Sequence, residues 1–306
     1  MIVDCHARVW ESLEQLGGLA AAVQEKGQRL PALAKTEKRP LDASTTWHRQ
    51  SGKMIDRSLV LGFKSRYLNA EIPNAFVAEY VSRFPDQLLG VAGIDPTHLS
   101  EALDDLAAAR EQFGFRAITV SPAAQDFHPS DSRAMQVFAE AARLKMPVFI
   151  DQGVAVGAAA RMEFARPVLL DEVARELPDL HLVIAHLGYP WIEECIVLLS
   201  KHPTIYADVS SLFHRPWHAY NAIVSAYQYG VADKLLFGSD FPFSTPASAI
   251  ESLYRVNQLV TGTNLPTVPR PYLAGIVERD ALGLLGLAPP AGSAAKPSKL
   301  LDSAES

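Results

Sequence analysis

Short β-branched or apolar runs recur along the chain, separated by longer stretches with apolar residues at helical spacing. The runs fall at residues 2–6, 58–62, 88–94, 116–121, 147–151, 181–186, 204–209 and 234–240. Helical patterning covers 75–84, 101–113, 132–144, 168–177, 191–201, 219–229 and 247–260, and 270–287 reads as one final helix. Ser100, Ser130 with Asp131, and Thr245 followed by Pro246 are fitting caps. Strands alternating with helices predict a parallel sheet, because parallel neighbours need crossovers. Eight such units in about 250 residues match an α/β fold of the (β/α)8 TIM-barrel type. A doubly wound open sheet is the rival, but it usually has fewer strands and wants a Gly-rich first turn, which does not follow 2–6.

Two regions fall outside the repeat. Residues 28–57, rich in Lys, Arg, Pro, Thr and Ser and without clear periodicity, read as an inserted lid-like loop after strand one. Residues 288–306 are Pro/Ala/Ser-rich and read as a disordered tail, which leaves 1–287 as the barrel domain.

Composition narrows the partners. The 306 residues are 48% hydrophobic and 20% charged, as in an ordinary soluble globular protein, and the net charge of −6 gives no reason to expect nucleic acid or an anionic membrane. There is no apolar run of about 18 residues and no charged segment leading into an apolar one at the start, so the expected compartment is the cytoplasm. Cys5 and Cys195 read as reduced core thiols. The expected partner is a small-molecule substrate; a homo-oligomer is open, though no apolar stripe demands one.

Polar residues concentrate at strand ends. His6 and Arg8 end strand one, Asp151 and Gln152 strand five, His186 strand six and Asp240 strand eight. In a parallel barrel these ends share one face, so residues remote in sequence converge on one pocket. Loops on that face add candidates for substrate contact: Lys64 and Arg66 after strand two, Gln125 and His128 after strand four, and His214, Arg215 and Trp217 after strand seven. Together they point to an anionic, cyclic or unsaturated substrate. No Gly-x-Ser-x-Gly elbow argues for a covalent intermediate.

The segments HLVIAHLGYPW (181–191) and KLLFGSDFPF (234–243) resemble the sixth- and eighth-strand signatures of the amidohydrolase superfamily. GVAGIDP (90–96), RAITVSP (116–122) and FHPSDSRAMQVFAEAARLKMPVFI (127–150) are similar to its amidohydrolase-related branch, which holds aminocarboxymuconate-semialdehyde decarboxylases, resorcylate-type decarboxylases and dicarboxylate lactonases. That resemblance implies His-x-His on strand one, His on strands five and six, and Asp on strand eight. The strand-one pair, the strand-five His and the Asp bind one divalent metal in such proteins; the strand-six His and the Asp handle protons and water. On this chain His6, His186 and Asp240 match, but Arg8 stands for the second His and Asp151 for the strand-five His.

A guanidinium keeps its proton near neutral pH and offers no lone pair, so Arg8 cannot be a ligand. The two departures are complementary in charge. They lead to the expectation that Arg8 fills the metal's place and pairs with Asp151, Asp240 or both, with no cofactor. The alternative keeps one zinc or manganese on His6, Asp151 and Asp240. Without metal, Asp240 serves as general acid/base while His6, His186 and Arg8 stabilise substrate charge, with Asp151 beside them, which suits a hydrolase of an ester, lactone or amide-like carbonyl. A metal-dependent non-oxidative decarboxylase (carboxy-lyase) is the second reading. A catalytically silent barrel that binds a small acid is the third, with Arg8 and Asp151 as a purely structural pair.

Overall fold

All eight expected strands form, with ends trimmed or shifted. The computed structural model describes residues 1–34, 41–153 and 157–288. Strands β1 (Val3–Ala7), β2 (Arg57–Leu61), β5 (Leu88–Gly93), β6 (Ile118–Val120), β7 (Val148–Ile150), β8 (Leu182–Ile184), β9 (Ile205–Asp208) and β10 (Leu235–Leu236) pair in parallel in that order. A short antiparallel hairpin, β3 (Phe63–Ser65) with β4 (Ala70–Ile72), stands apart. The Cys5 amide donates to the Phe237 carbonyl at 2.9 Å and the Asp240 amide to the His6 carbonyl at 3.0 Å, while Ala7 bridges Phe241. These bonds join the last strand to the first, and the sheet is a (β/α)8 TIM barrel. β6, β7 and β8 are buried at every position, which is why they read as unbroken apolar runs.

The helices are α1 (Ala20–Ala34), α2 (Thr45–Ser51), α3 (Asn74–Ser82), α4 (Leu99–Glu111), α5 (Pro122–Gln125), α6 (Ser132–Arg143), α7 (Leu170–Glu176), α8 (Ile192–Lys201), α9 (Pro216–Gln228), α10 (Pro246–Tyr254), α11 (Arg270–Glu278) and α12 (Ala281–Leu284). α6 is representative. It buries Ala134, Val137, Phe138 and Ala141 at helical spacing, and Asp131 caps it by accepting from the Arg133 amide. Thr245 caps α10 with Pro246 in its first turn, as expected. Ser100 does not cap α4, which begins a residue earlier, after His98.

Two expectations need correction. The 28–57 stretch is not simply a loop: α1 runs into it as far as Ala34, and α2 follows, capped by Ser44; 35–40 lie outside the described residues. The single helix at 270–287 is two. Arg279 turns extended and its guanidinium donates to the carbonyls of Leu235 and Ala232, after which Asp280 caps α12 through the Gly283 amide. The break lets α12 turn under the barrel, where Leu282 and Leu285 pack with Cys5, Leu61 and Phe149 as a floor. Arg116 clasps that end through the carbonyls of Gly286 and Ala288. Of the tail expected at 288–306, residues 289–306 lie outside the described residues. Both cysteines are free and buried. No helix among the described residues is long and apolar enough to cross a membrane.

Candidate active site

The strand ends opposite the α12 floor surround a pocket of about 790 Å³, open mouth included, with Arg8, Lys26, Asp151, His186 and Asp240 on its wall. Most of the remaining wall is apolar, made by Trp10, Leu16, Leu19, Val23, Phe63, Ile72 and Phe243. The backbone around it is bent into a conformation that side chains other than glycine's rarely take. His186 (φ 57°), Leu187 (49°), Ser211 (61°) and Asp240 (61°) all lie in the left-handed region. Each such residue costs roughly 1–3 kcal/mol, and clusters of this kind occur at functional sites. Here the bends have firm backbone anchors: the His186 amide donates to Asp208 Oδ1 at 3.1 Å and the Asp240 amide to the His6 carbonyl.

Asp208, at the end of β9, is the centre of the polar network. Its carboxylate accepts from His6 Nδ1 at 3.0 Å, from the amides of His186 and Ser210, and from the Ser210 hydroxyl. Burial works against its ionisation, but the His6 charge and hydrogen bond outweigh that and hold its carboxyl below the usual range. For His6, burial disfavours the cation and Asp208 more than reverses this, so its pKa is raised. The carboxylate accepts only, which puts the proton on His6 Nδ1 and leaves Nε2 as the second nitrogen. His186 Nδ1 lies 2.6 Å from the Ser210 hydroxyl oxygen, and burial lowers the pKa of its imidazole. The two rings sit 4.8 Å apart. Below them Asp4, fully buried, accepts from the amide and hydroxyl of Ser239; burial pushes its pKa up to about 6.

The charged groups of the wall form two pairs. Arg8 Nη2 donates to Asp151 Oδ2 at 2.7 Å, and Lys26 Nζ to Asp240 Oδ2 at 3.1 Å. Burial would raise both carboxyls, yet Arg8 for Asp151 and Lys26 for Asp240 hold them below the usual range, Asp240 far below it. The expected Arg8–Asp151 pair thus forms, while the partner of Asp240 is Lys26 from α1, which sequence reading missed. Nothing in the sequence marks Lys26. Asp208 did carry a signal, since it ends its strand as Asp151 and Asp240 end theirs.

The other candidates scatter. Lys64 pairs with Asp105 and Glu101, and Arg66 with Glu101, away from the pocket wall. Gln125 is a strut: it donates to the carbonyls of Lys64 and Ile94 and accepts from the Ser121 amide. Gln152 is buried and donates to the Arg166 carbonyl. His128 turns its Nδ1 to Ser130, Arg215 lies over the Tyr189 ring, and Trp217 is 55% exposed on α9. His214 is buried, with Nε2 unpartnered among the described residues; burial first, against the field of Asp240, lowers its pKa to about 4.

A divalent metal does not fit the strand-end carboxylates as they stand. Of the alternative set His6, Asp151 and Asp240, both carboxylates already hold a cation, and a dication would meet the guanidinium of Arg8 and the ammonium of Lys26. The donors that do converge among the described residues, within 4.8 Å, are His6, His186 and Asp208. There Asp208 and Ser210 hold Nδ1 of the two rings, which leaves Nε2 of each as the possible ligand.

Comparison with known proteins agrees with this architecture. An uncharacterised TIM-barrel protein from Bordetella bronchiseptica superposes with a TM-score of 0.74 at 21% identity, covering 94% of this chain and 98% of its own. A probable 2-pyrone-4,6-dicarboxylic acid hydrolase from Acinetobacter baumannii, with citric acid bound, gives 0.63 at 15% identity over 93% and 99%. A dihydroxybenzoic acid decarboxylase from Polaromonas sp., with manganese and 2-nitroresorcinol bound, gives 0.63 at 14% over 94% and 97%. No curated protein matches the sequence. The family model described as Amidohydrolase matches residues 3–265, most of the barrel. The chain belongs to the amidohydrolase family.

Proposed function

We propose that the protein is a hydrolase acting on a small anionic, cyclic or unsaturated ester, lactone or amide-like substrate. The observation that carries this reading is the meeting of Asp240, His186 and two fixed cations, Arg8 and Lys26, in one largely apolar pocket. Asp240, ionised at neutral pH, orients a water and takes its proton as the oxygen attacks the substrate carbonyl. Arg8 stays on Asp151, and its guanidinium on the pocket wall adds a fixed positive field beside the carbonyl oxygen as it gains charge. His6, protonated and fixed by Asp208, adds a donor to the same oxygen, while His186, whose Nδ1 proton goes to Ser210, offers Nε2 as an acceptor for a proton of the water. The parts need no metal. The barrel itself does not choose between ring opening and loss of carbon dioxide, since a hydrolase and a decarboxylase share it.

A panel of lactones, esters and aromatic acids, assayed with wild type and Asp240→Asn, tests the reading. The expected result is hydrolysis by wild type, with kcat lower in the variant on the order of 10²–10⁴-fold. Release of carbon dioxide from a ring-bound carboxylate would identify a carboxy-lyase instead. Ligand binding with no turnover by either protein would identify a silent barrel.

A further inference from the structure

Lys26 differs in origin from every other charged group on the pocket wall. Arg8, Asp151 and Asp240 sit at strand ends, whereas Lys26 is carried by α1, in the excursion between β1 and β2. Its side chain is only 11% exposed, with Nζ 3.1 Å from Asp240 and 3.8 Å from the centre of the Phe243 ring. An ammonium this far from water needs an anion beside it. The same helix and the turn before it bring Leu16, Leu19 and Val23 to the wall, so the surface around Lys26 is apolar.

The wall charges cancel in pairs, Arg8 with Asp151 and Lys26 with Asp240. A ligand anion therefore gains a cation only if one of the two changes partner. Lysine, a compact charge on a flexible stem, suits that exchange better than a planar guanidinium committed to its carboxylate. Arg8 on Asp151 leaves Lys26 as the one exchangeable cation of the described wall, enough for a single carboxylate. A second would be stranded against apolar side chains.

We propose that Lys26 reads the substrate: its ammonium moves from Asp240 to the lone carboxylate of a ring-bearing monocarboxylic acid, whose apolar body lies against α1 and Phe63. The inference rests on the reading above that this pocket is the substrate site. The exchange leaves Asp240 without its cation and turns its freed oxygen toward the water it activates. Binding the right acid and uncovering the base become one event. A neutral ring leaves Lys26 on Asp240, and a dianion adds a second carboxylate for which the described wall has no exchangeable cation.

Calorimetric titration of benzoate, benzamide and phthalate into wild type, Lys26→Met, Lys26→Arg and a surface control, Lys201→Met, tests this. Wild type and the control are expected to bind benzoate at least about tenfold more tightly than either other probe. Lys26→Met brings benzoate down to the level of benzamide, and Lys26→Arg keeps most of the preference, all four proteins showing the same circular dichroism. A benzoate preference that survives in Lys26→Met overturns the proposal, as does phthalate binding as tightly as benzoate, or no probe binding to wild type. The lactone panel on the same preparations separates the two readings. Turnover without benzoate preference removes only the role of Lys26, and preference without turnover removes only the hydrolase.

Discussion

Buried imidazoles decide much of the charge inside this protein, and their partners differ. Asp208 favours the cation of His6, whereas His48 sits between the Tyr80 hydroxyl at 2.7 Å and the Ser58 hydroxyl at 3.2 Å with no carboxylate. Burial, and then the charge of Arg49, bring the His48 pKa down from 6.5 to about 4. The folded state thus prefers neutral His48. Its stabilising contribution is full above about pH 6.5 and is lost by the time pH has fallen through about 4, as the unfolded chain takes up a proton the native one refuses. His48→Asn has no such titration. The gap in unfolding free energy between wild type and variant is expected to narrow by roughly 2–4 kcal/mol from pH 7 to pH 4. Urea melts at three pH values check it, and a constant gap would refute the assignment. At this scale the sequence was half legible. His6, His186 and Asp240 announced themselves by ending strands, and so could Asp208. Lys26 meets Asp240 across 214 positions from a helix whose geometry no local pattern encodes. Lys64 and Arg66 looked like substrate anchors because the acids that take them, Glu101 and Asp105, are brought up only by the packing of α4.

At the scale of elements, α1 and the hairpin β3/β4 act as one piece. The Gly18 amide donates to the Leu68 carbonyl at 2.8 Å, and Gly17, at φ +46°, passes so close to the hairpin that an added Cβ would stand 2.1 Å from the Asn69 carbonyl oxygen. Both the conformation and the contact require glycine there. Gly17→Ala is expected to cost roughly 1–3 kcal/mol in a thermal melt. Because the start of α1 must shift, benzoate preference falls as well; a variant with unchanged melting and binding would show that the pinning is unimportant. This piece was poorly legible. Helical spacing in 20–34 is diluted by Gly27 and Pro31, and the hairpin strands are three residues each, too short for alternation to register. The break at Arg279 was hidden for another reason: both halves of 270–287 have good helical spacing, and only the carbonyls of Ala232 and Leu235 pull the joint open.

At the scale of the molecule the barrel separates chemistry from support. Eight strands were readable because both their faces are buried, which writes long apolar runs into the sequence, and the crossovers between them fixed the parallel order. The floor beneath was not readable as such. Leu282 is 2% exposed there, among side chains at the far end of the strands from Asp240. Leu282→Ala is expected to cost roughly 2–5 kcal/mol by denaturant melt while leaving benzoate affinity at 25 °C unchanged, since the two ends share no partners. Weakened binding in proportion to lost stability would mean that floor and mouth are coupled. The division also bears on Trp10, an indole almost wholly enclosed on the pocket wall. With Trp47, Trp191 and Trp217 changed to Phe, its emission would become a native optical gauge of occupancy, open to screening unlabelled compounds before any reaction is known.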